Sequence, residues 1–326
     1  MSQQMLAVLA TGTSDEDPLS KVDVGHYPVP EPDEGWKRVR IRAASLNHHD
    51  LWTLRGVGLL NDRFPRVLGC DGAGELDDGS KVLLHSVMTP PTHGDETLSS
   101  GFSILSDIHD GTFAEYVVVP ERNLVMLPDA MSFEEAACLP VAYLTAYRML
   151  FTAGALRPGQ KVLVQGAGGG VSTAAIILAR AAGCWVAVTS RDEDKRQQAL
   201  ELGAQEALPP GERLSRRVNV VVETVGEATW GHSLRALEQG GAVVVAGATA
   251  GGAPPAELER IFYRQLRVLG SSMGTRAELE QLVSLLTVTG ARPLIDQVVP
   301  LSEGRQAFER MAAGSLRGKV VLTSGT

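Results

Sequence analysis

The chain has 326 residues, of which 44% are hydrophobic and 21% charged, and a formal net charge of −8. That length predicts two domains rather than one core. The acidic balance argues against nucleic acid or an anionic membrane as partner, because both reward clustered Lys and Arg. Three scattered cysteines, Cys70, Cys138 and Cys184, form no CxxC pair, so neither a disulfide framework nor a thiolate zinc site is indicated. No charged n-region precedes an apolar stretch at the N-terminus, and no apolar run is long enough to span a bilayer. The expectation is a soluble cytoplasmic protein.

In chain order, residues 1–125 read as short strands bounded by Gly, Pro and Asp: Gln4–Leu9, Trp36–Ala44, Gly74–Leu76, Lys81–Leu84 and Phe113–Val119. Pro28–Gly35 reads as a surface connection, and Leu46–Arg55 has helical spacing. A partly open barrel is the natural closure for such a region. Residues 86–110 show no period and read as a long loop or lobe. From Ser132, an N-cap with Glu135 three residues on, helical and strand patterns alternate. Strands are expected at Lys161–Gln165, Trp185–Thr189, Val218–Glu223, Ala242–Ala246 and Arg267–Ser271, with helices at 170–182, 193–202 and 228–238. This alternation predicts a doubly wound parallel sheet. The last segment, with helices at Glu278–Leu286 and Glu303–Met311 and strands at Asp296–Pro300 and Lys319–Leu322, is expected to return to the first domain.

The strongest chemical signal is QGAGGGVS at 165–172, between a strand and a helix. Glycines let the backbone approach a pyrophosphate, and the helix N-terminus offers it free N–H groups. Gly168, Gly169, Gly170 and Val171 are the expected contacts. At the end of the next strand, an NAD site usually places a carboxylate against the ribose hydroxyl. Here Ser190-Arg191 stand there with Lys195 nearby, which favours the 2′-phosphate of NADP(H). Asp192 and Asp194 compete with that reading, and Arg191 reads alternatively as a solvated surface charge.

With these motifs in hand, the chain resembles the medium-chain dehydrogenase/reductase superfamily, and within it the zinc-free quinone oxidoreductases. The carriers are ASLNHHDLWTLRG at 44–56, FPRVLGCDGAGEL at 64–76, GTFAEYVVVP at 111–120, LPVAYLTAYRML at 139–150, QGAGGGVS at 165–172, LELGAQ at 200–205, VVETVG at 221–226 and GKVVL at 318–322. The resemblance implies an α/β protein: a GroES-like, partly open β-barrel catalytic domain (1–142 and 273–326) and an inserted Rossmann domain with a six-stranded parallel sheet (143–272), with the active-site cleft between them. It further implies a homodimer joined along the sixth Rossmann strand. The family's nucleotide loop fits the register Ala167-x-Gly169-x-x-Ser172 better than one starting at Gly166.

Zinc-dependent relatives carry ligands in the segments matching Asn47, Cys70-Asp71 and Val141, and some carry four cysteines in the segment matching 86–110. An amide is a poor zinc ligand and Val is none, so no metal site is expected. His85, His93 and His109 read as solvated loop residues. Without a metal to polarise a carbonyl, the implied acceptor is already electrophilic: a quinone or an α,β-unsaturated carbonyl.

Asn47 reads equally well as an amide donor to substrate or nicotinamide ribose and as a helix cap. By resemblance Thr145 contacts the nicotinamide end, and Tyr143 is the candidate to line the substrate pocket or donate a proton. Val225, Gly247 and Ala248 follow strand ends and should border the cofactor, with Ser271 and Met273 near the nicotinamide amide. Lys319 reads either as a pyrophosphate contact or as a surface lysine. The expected function is a zinc-independent, NADPH-dependent oxidoreductase. The alternatives are an alcohol dehydrogenase with an atypical zinc site and a non-catalytic NADPH-binding sensor or structural protein.

Overall fold

The computed structural model describes residues 3–57, 63–90 and 94–325. The chain divides into two compact units: unit 1 is Met1–Val141, Gly274–Thr287 and Ile295–Thr326, and unit 2 is Ala142–Met273 and Val288–Leu294. No helix among the described residues is long and apolar enough to cross a membrane.

Unit 1 is built on two antiparallel-rich sheets. Gln4–Ala10 pairs with Val22–Pro28 on one side and Arg66–Val67 on the other. A larger sheet runs in the order Leu124–Met126, Lys81–Leu84, Asp71–Glu75, Trp36–Ser45, Lys319–Thr323, Ile295–Pro300, with Tyr116–Pro120 also paired to Trp36–Ser45. Along Trp36–Ser45 the period of two is plain: Val39 and Ile41 are buried and Arg40 between them is exposed. The core gathers Ile41, Leu46, Leu54, Leu68 and Phe113 with Phe308 of the C-terminal helix Gly304–Ala312. Phe113 and Phe308 meet edge-on, ring centroids 6.1 Å apart. Residues at both ends of the chain therefore share one core.

One reading changes here. Val22–Pro28 is a strand that the sequence pattern did not expose, since only Val22 is buried and the other residues are half-buried or exposed. The 86–110 segment, expected as a long loop or lobe, carries short elements among its described residues: Val87–Met88 pairs with Ser103–Ile104, and Glu96–Leu98 forms a short 3-10 turn.

Unit 2 is a six-stranded sheet in the order Glu206–Leu208, Trp185–Thr189, Lys161–Gln165, Val218–Glu223, Leu237–Val245, Arg267–Gly270, all pairs parallel. Its central strands are buried on both faces, which is why they read as apolar runs. Helices Gly170–Ala181, Glu193–Glu201 and Glu227–Ala236 make the crossovers. The helix expected to reach 238 stops at Ala236, because Leu237 already pairs with Val218 across a register shift.

Close backbone approach sets one glycine in the barrel. A Cβ on Gly74 would lie 2.0 Å from the Arg40 carbonyl oxygen of the neighbouring strand, whereas one on Gly25 would meet nothing nearer than 3.6 Å. Gly74→Ala is therefore expected to destabilise the protein by about 1–3 kcal/mol, while Gly25→Ala stays within about 0.5 kcal/mol of wild type. Denaturant unfolding of the two variants checks this, and equal midpoints would contradict it.

Candidate active site

In unit 2 the strand Lys161–Gln165 ends at Gly166, whose φ of +88° turns the chain sharply in a region that favours glycine. Gly169 is the N-cap of the following helix, and Gly170 and Val171 are its first residues. Ala167 and Ser172 are buried, and the Ser172 hydroxyl donates to the Gly169 carbonyl at 2.9 Å. Gly169, between them, lies exposed at the helix mouth, where a Cβ would meet nothing nearer than Ser172 Oγ at 3.7 Å. Free N–H groups and the positive end of the helix meet there, a setting that suits a pyrophosphate.

Lys195 reaches over this loop. A Cβ on Gly168 would stand 2.6 Å from Lys195 Cδ and 3.2 Å from its Nζ, so a larger residue there would push the lysine side chain aside. Ser190 follows the strand Trp185–Thr189, and Arg191 beside it is exposed. Asp192, which competed for the cofactor reading, turns its carboxylate to its own helix and accepts from Lys195 N at 3.3 Å. The Ser190 carbonyl accepts from Arg196 Nη1 at 2.5 Å.

The next strand ends meet as well. Val225 lies beside Gly166, and a Cβ on Gly226 would be 3.1 Å from Ala248 Cα. A Cβ on Gly247 would approach the Thr224 carbonyl oxygen to 3.1 Å. Val225 is fixed by Glu223, a fully buried carboxylate that accepts from the backbone N of Val225 at 2.8 Å and of Gly226 at 3.0 Å and from the hydroxyls of Thr229 and Ser233. Ser271 follows the last strand, its N–H on the Val245 carbonyl. Its hydroxyl oxygen is buried without a hydrogen-bond partner among the described residues, the kind of orphan an amide ligand would satisfy. Met273 is buried with a left-handed φ of +54°.

Tyr143 does not stand at a surface. It is fully buried, and its hydroxyl accepts from Leu294 N at 2.9 Å. Thr145 is buried one helical step further, in Leu144–Tyr147.

Asn47 belongs to unit 1, at the start of helix His48–Leu54. Its amide donates to Asp71 Oδ2 at 2.8 Å and to the Ser45 carbonyl at 3.3 Å, and its oxygen accepts from Lys319 Nζ at 2.6 Å. Both amide hydrogens are thereby used inside the protein, which leaves none for a substrate. Asp50 Oδ2 accepts the Asn47 N–H at 2.7 Å, and burial pushes the Asp50 carboxyl up to about 6. Lys319 is not a surface residue: it is buried in unit 1, with its ammonium on Asn47, on Asp71 Oδ2 and on the Leu46 carbonyl.

These groups do not fit a zinc ion. Among the described residues no three His, Cys, Asp or Glu stand together as a metal set. The Cys70 thiol is held well above its ordinary pKa by burial first and then by the carboxylates of Asp50 and Asp71. Val141 packs against the apolar core, and a lysine ammonium already sits on the Asn47 and Asp71 oxygens.

Sequence reasoning missed a dyad. His49 Nε2 lies 3.0 Å from Asp107 Oδ1, whose other oxygen accepts from Ile104 N at 2.8 Å. The histidine expectations also change. His85 is buried, its Nε2 2.9 Å from the Gly274 carbonyl, and His109 packs on Trp36. His93 lies outside the described residues.

With a GroES-like barrel unit and a parallel nucleotide-binding sheet in one chain, the class is a nicotinamide-dependent oxidoreductase. Residues 33–129 match the alcohol dehydrogenase GroES-like domain, and residues 170–288 match the zinc-binding dehydrogenase family. The chain is 32% identical to a zinc-type alcohol dehydrogenase-like protein of Schizosaccharomyces pombe, over 91% of this chain and 93% of that one. It is 28% identical to a quinone oxidoreductase of Lama guanicoe, over 90% of each. A crystal structure described as an NAD-dependent alcohol dehydrogenase superposes with a TM-score of 0.90 at 34% identity, over 98% of this chain and all of that one. The chain belongs to the medium-chain dehydrogenase/reductase superfamily.

The His49–Asp107 pair has a pH signature. Burial disfavours the imidazolium, but the hydrogen bond and charge of Asp107, joined by Asp50, outweigh it and raise the His49 pKa. A raised folded-state value means that the pair contributes fully below the ordinary histidine value of 6.5 and is lost as pH rises through the folded value. The stability advantage of wild type over His49→Gln is expected to shrink as pH rises from about 6.5 into the alkaline range, read from paired thermal melts. An advantage that stays constant across this range speaks against the pair.

Proposed function

We propose that this protein is a zinc-independent reductase that transfers hydride from NADPH to a quinone or an α,β-unsaturated carbonyl. The observation that carries the cofactor choice is Lys195 lying over Gly168, with Ser190 and Arg191 at the neighbouring strand end and Asp192 turned away into its helix cap. Two cations and a hydroxyl at that corner favour a 2′-phosphate, which a carboxylate would repel. In this reading Gly168, Gly169, Gly170 and Val171 hold the pyrophosphate. Val225, Gly247 and Ala248 border the cofactor, and Thr145, Ser271 and Met273 attend the nicotinamide end. When bound, the nicotinamide supplies the hydride.

The acceptor class follows from what unit 1 withholds. The amide hydrogens of Asn47 are engaged, and the three acceptors around the Lys319 ammonium match its three N–H bonds. Neither group is open to polarise a plain carbonyl, which suits an acceptor that brings its own electrophilicity. The names of the relatives favour a second reading, a metal-dependent alcohol dehydrogenase. Stoichiometric zinc in protein purified without chelator, with activity lost on its removal, would establish that reading instead.

Fluorescence titration decides the cofactor. Lys195→Ala and Arg191→Ala are each expected to weaken NADPH binding about 10-fold or more, an effect of roughly 1.4 kcal/mol or more, with little change for NADH. If neither dinucleotide binds folded protein, the proposal fails. Tight NADPH binding without turnover of any quinone or enone would point to a sensor.

We further infer a homodimer through the edge strand Arg267–Gly270. Val268 on that strand is exposed, and Leu258, Phe262 and Tyr263 of the nearby helix Leu258–Tyr263 are exposed too. An unpaired strand edge with apolar side chains is an association surface. Val268→Lys is expected to shift the protein from dimer to monomer in light scattering, and a wild-type monomer contradicts the inference.

A further inference from the structure

The polar cluster of unit 1 is arranged as a cation site whose cation is a side chain. Three neighbouring strands build it. Ser45, the last residue of Trp36–Ser45, pairs in register with Asp71 on one side and Val321 on the other. Asp71 opens its strand, and Lys319 opens the strand on the far side. The chain then turns through Leu46 and Asn47 into a helix, which brings a backbone carbonyl and an amide oxygen over the same spot.

The Lys319 ammonium sits among these oxygens, 2.6 Å from Leu46 O, 2.6 Å from Asn47 Oδ1 and 3.1 Å from Asp71 Oδ2. The Lys319 and Asp71 side chains are 2% and 0% exposed. Asp71 Oδ2 is also fixed by the Ser45 hydroxyl at 2.7 Å and by the Asn47 amide at 2.8 Å. Asp71 Oδ1, by contrast, is buried without a hydrogen-bond partner among the described residues. An amide oxygen, a carbonyl and a carboxylate with one oxygen to spare are the donors that hard divalent cations prefer.

We propose that Lys319 is the resident cation of an oxygen cage in unit 1, that its ammonium keeps divalent metal out of the cage, and that without it the cage binds a single oxygen-preferring divalent cation. Two of the cage residues, Asn47 and Asp71, stand where zinc-dependent members of the superfamily are expected to place ligands. The inference rests on the zinc-free part of the proposed function. It adds that the position is closed by a protein cation, not merely stripped of ligands. Electrostatics require some cation there, because a buried carboxylate left alone is strongly unfavourable.

Manganese(II) is the probe, followed by the electron paramagnetic resonance of the free ion and by thermal melts with and without it. Wild type is expected to take up no ion and to show no shift in Tm. Lys319→Ala is expected to take up one ion per chain, with a Tm that rises as manganese is added. Lys319→Ala/Asp71→Asn, which lacks the carboxylate, is expected to take up none. A folded Lys319→Ala indifferent to manganese overturns the proposal, as does uptake by wild type or by the double variant. Should Lys319→Ala fail to fold alone, refolding with manganese(II) or methylammonium is expected to recover it, and recovery with neither overturns the proposal. Wild type that arrives with stoichiometric zinc overturns the zinc-free reading itself. A metal-free wild type beside an indifferent variant overturns only the cage.

Discussion

The buried pair of Lys319 and Asp71 is the interaction on which unit 1 depends. It joins residues 248 positions apart in the chain, with all of unit 2 lying between them in sequence. Charge burial of this kind is costly, and breaking one partner typically costs about 3–5 kcal/mol because the other is stranded. The cost is met only if the last strand returns to the barrel in one register, with Val321 opposite Ser45. The apolar contact of Phe308 with Phe113 pulls the same way without specifying a register. Hydrophobic burial thus brings the C-terminal segment home, and the ion pair fixes where it stops.

Unit 2 solves a related problem with opposite charge. Glu223 is fully buried at the end of a central strand, yet its oxygens receive two backbone N–H groups and two hydroxyls. Those donors come from the first turns of helix Glu227–Ala236 and the loop before it, so the carboxylate completes a helix N-terminus from below. Negative charge is spent holding Val225 and Gly226 in place. At the other edge of the same row of strand ends, Lys195 and Arg191 supply the positive charge. One row of strand ends thus carries a carboxylate consumed by structure and cations beside the glycine loop.

The sequence made unit 2 legible because parallel strands buried on both faces appear as runs such as VNVVVE, and because glycine turns and crossover helices punctuate them. The Ser190, Arg191 and Lys195 corner was legible for the same reason: the groups lie within a few residues of each other. What was not legible is non-local. Nothing near Lys319 in sequence indicates that it meets Asn47 and Asp71, and His49 and Asp107 are 58 positions apart. For Asn47 and Tyr143 the sequence suggested roles but not the partners that hold their polar atoms. Whether a polar group is free or already bonded depends on partners such as Ser45, Lys319 and Leu294 that no local pattern supplies. The same holds for His85, whose loop setting suggested exposure while its partner is the Gly274 carbonyl.

At both places where zinc-dependent relatives are expected to carry metal, side chains from elsewhere in the chain gather the oxygens. In the barrel Lys319 does this. In the lobe, the buried guanidinium of Arg66 bonds the carbonyls of Ser106 and Asp107, and His49 holds the Asp107 carboxylate. A metal ion and a side-chain cation do the same structural task of gathering oxygens from distant segments, but they differ in what remains over. A metal accepts further ligands, so it can both hold a loop and bind a substrate oxygen. An ammonium with three acceptors has no remaining N–H to offer. Replacing one by the other would keep the architecture while closing the Lewis-acid position, and on the proposed function the chemistry left is hydride delivery to an acceptor that needs no such help.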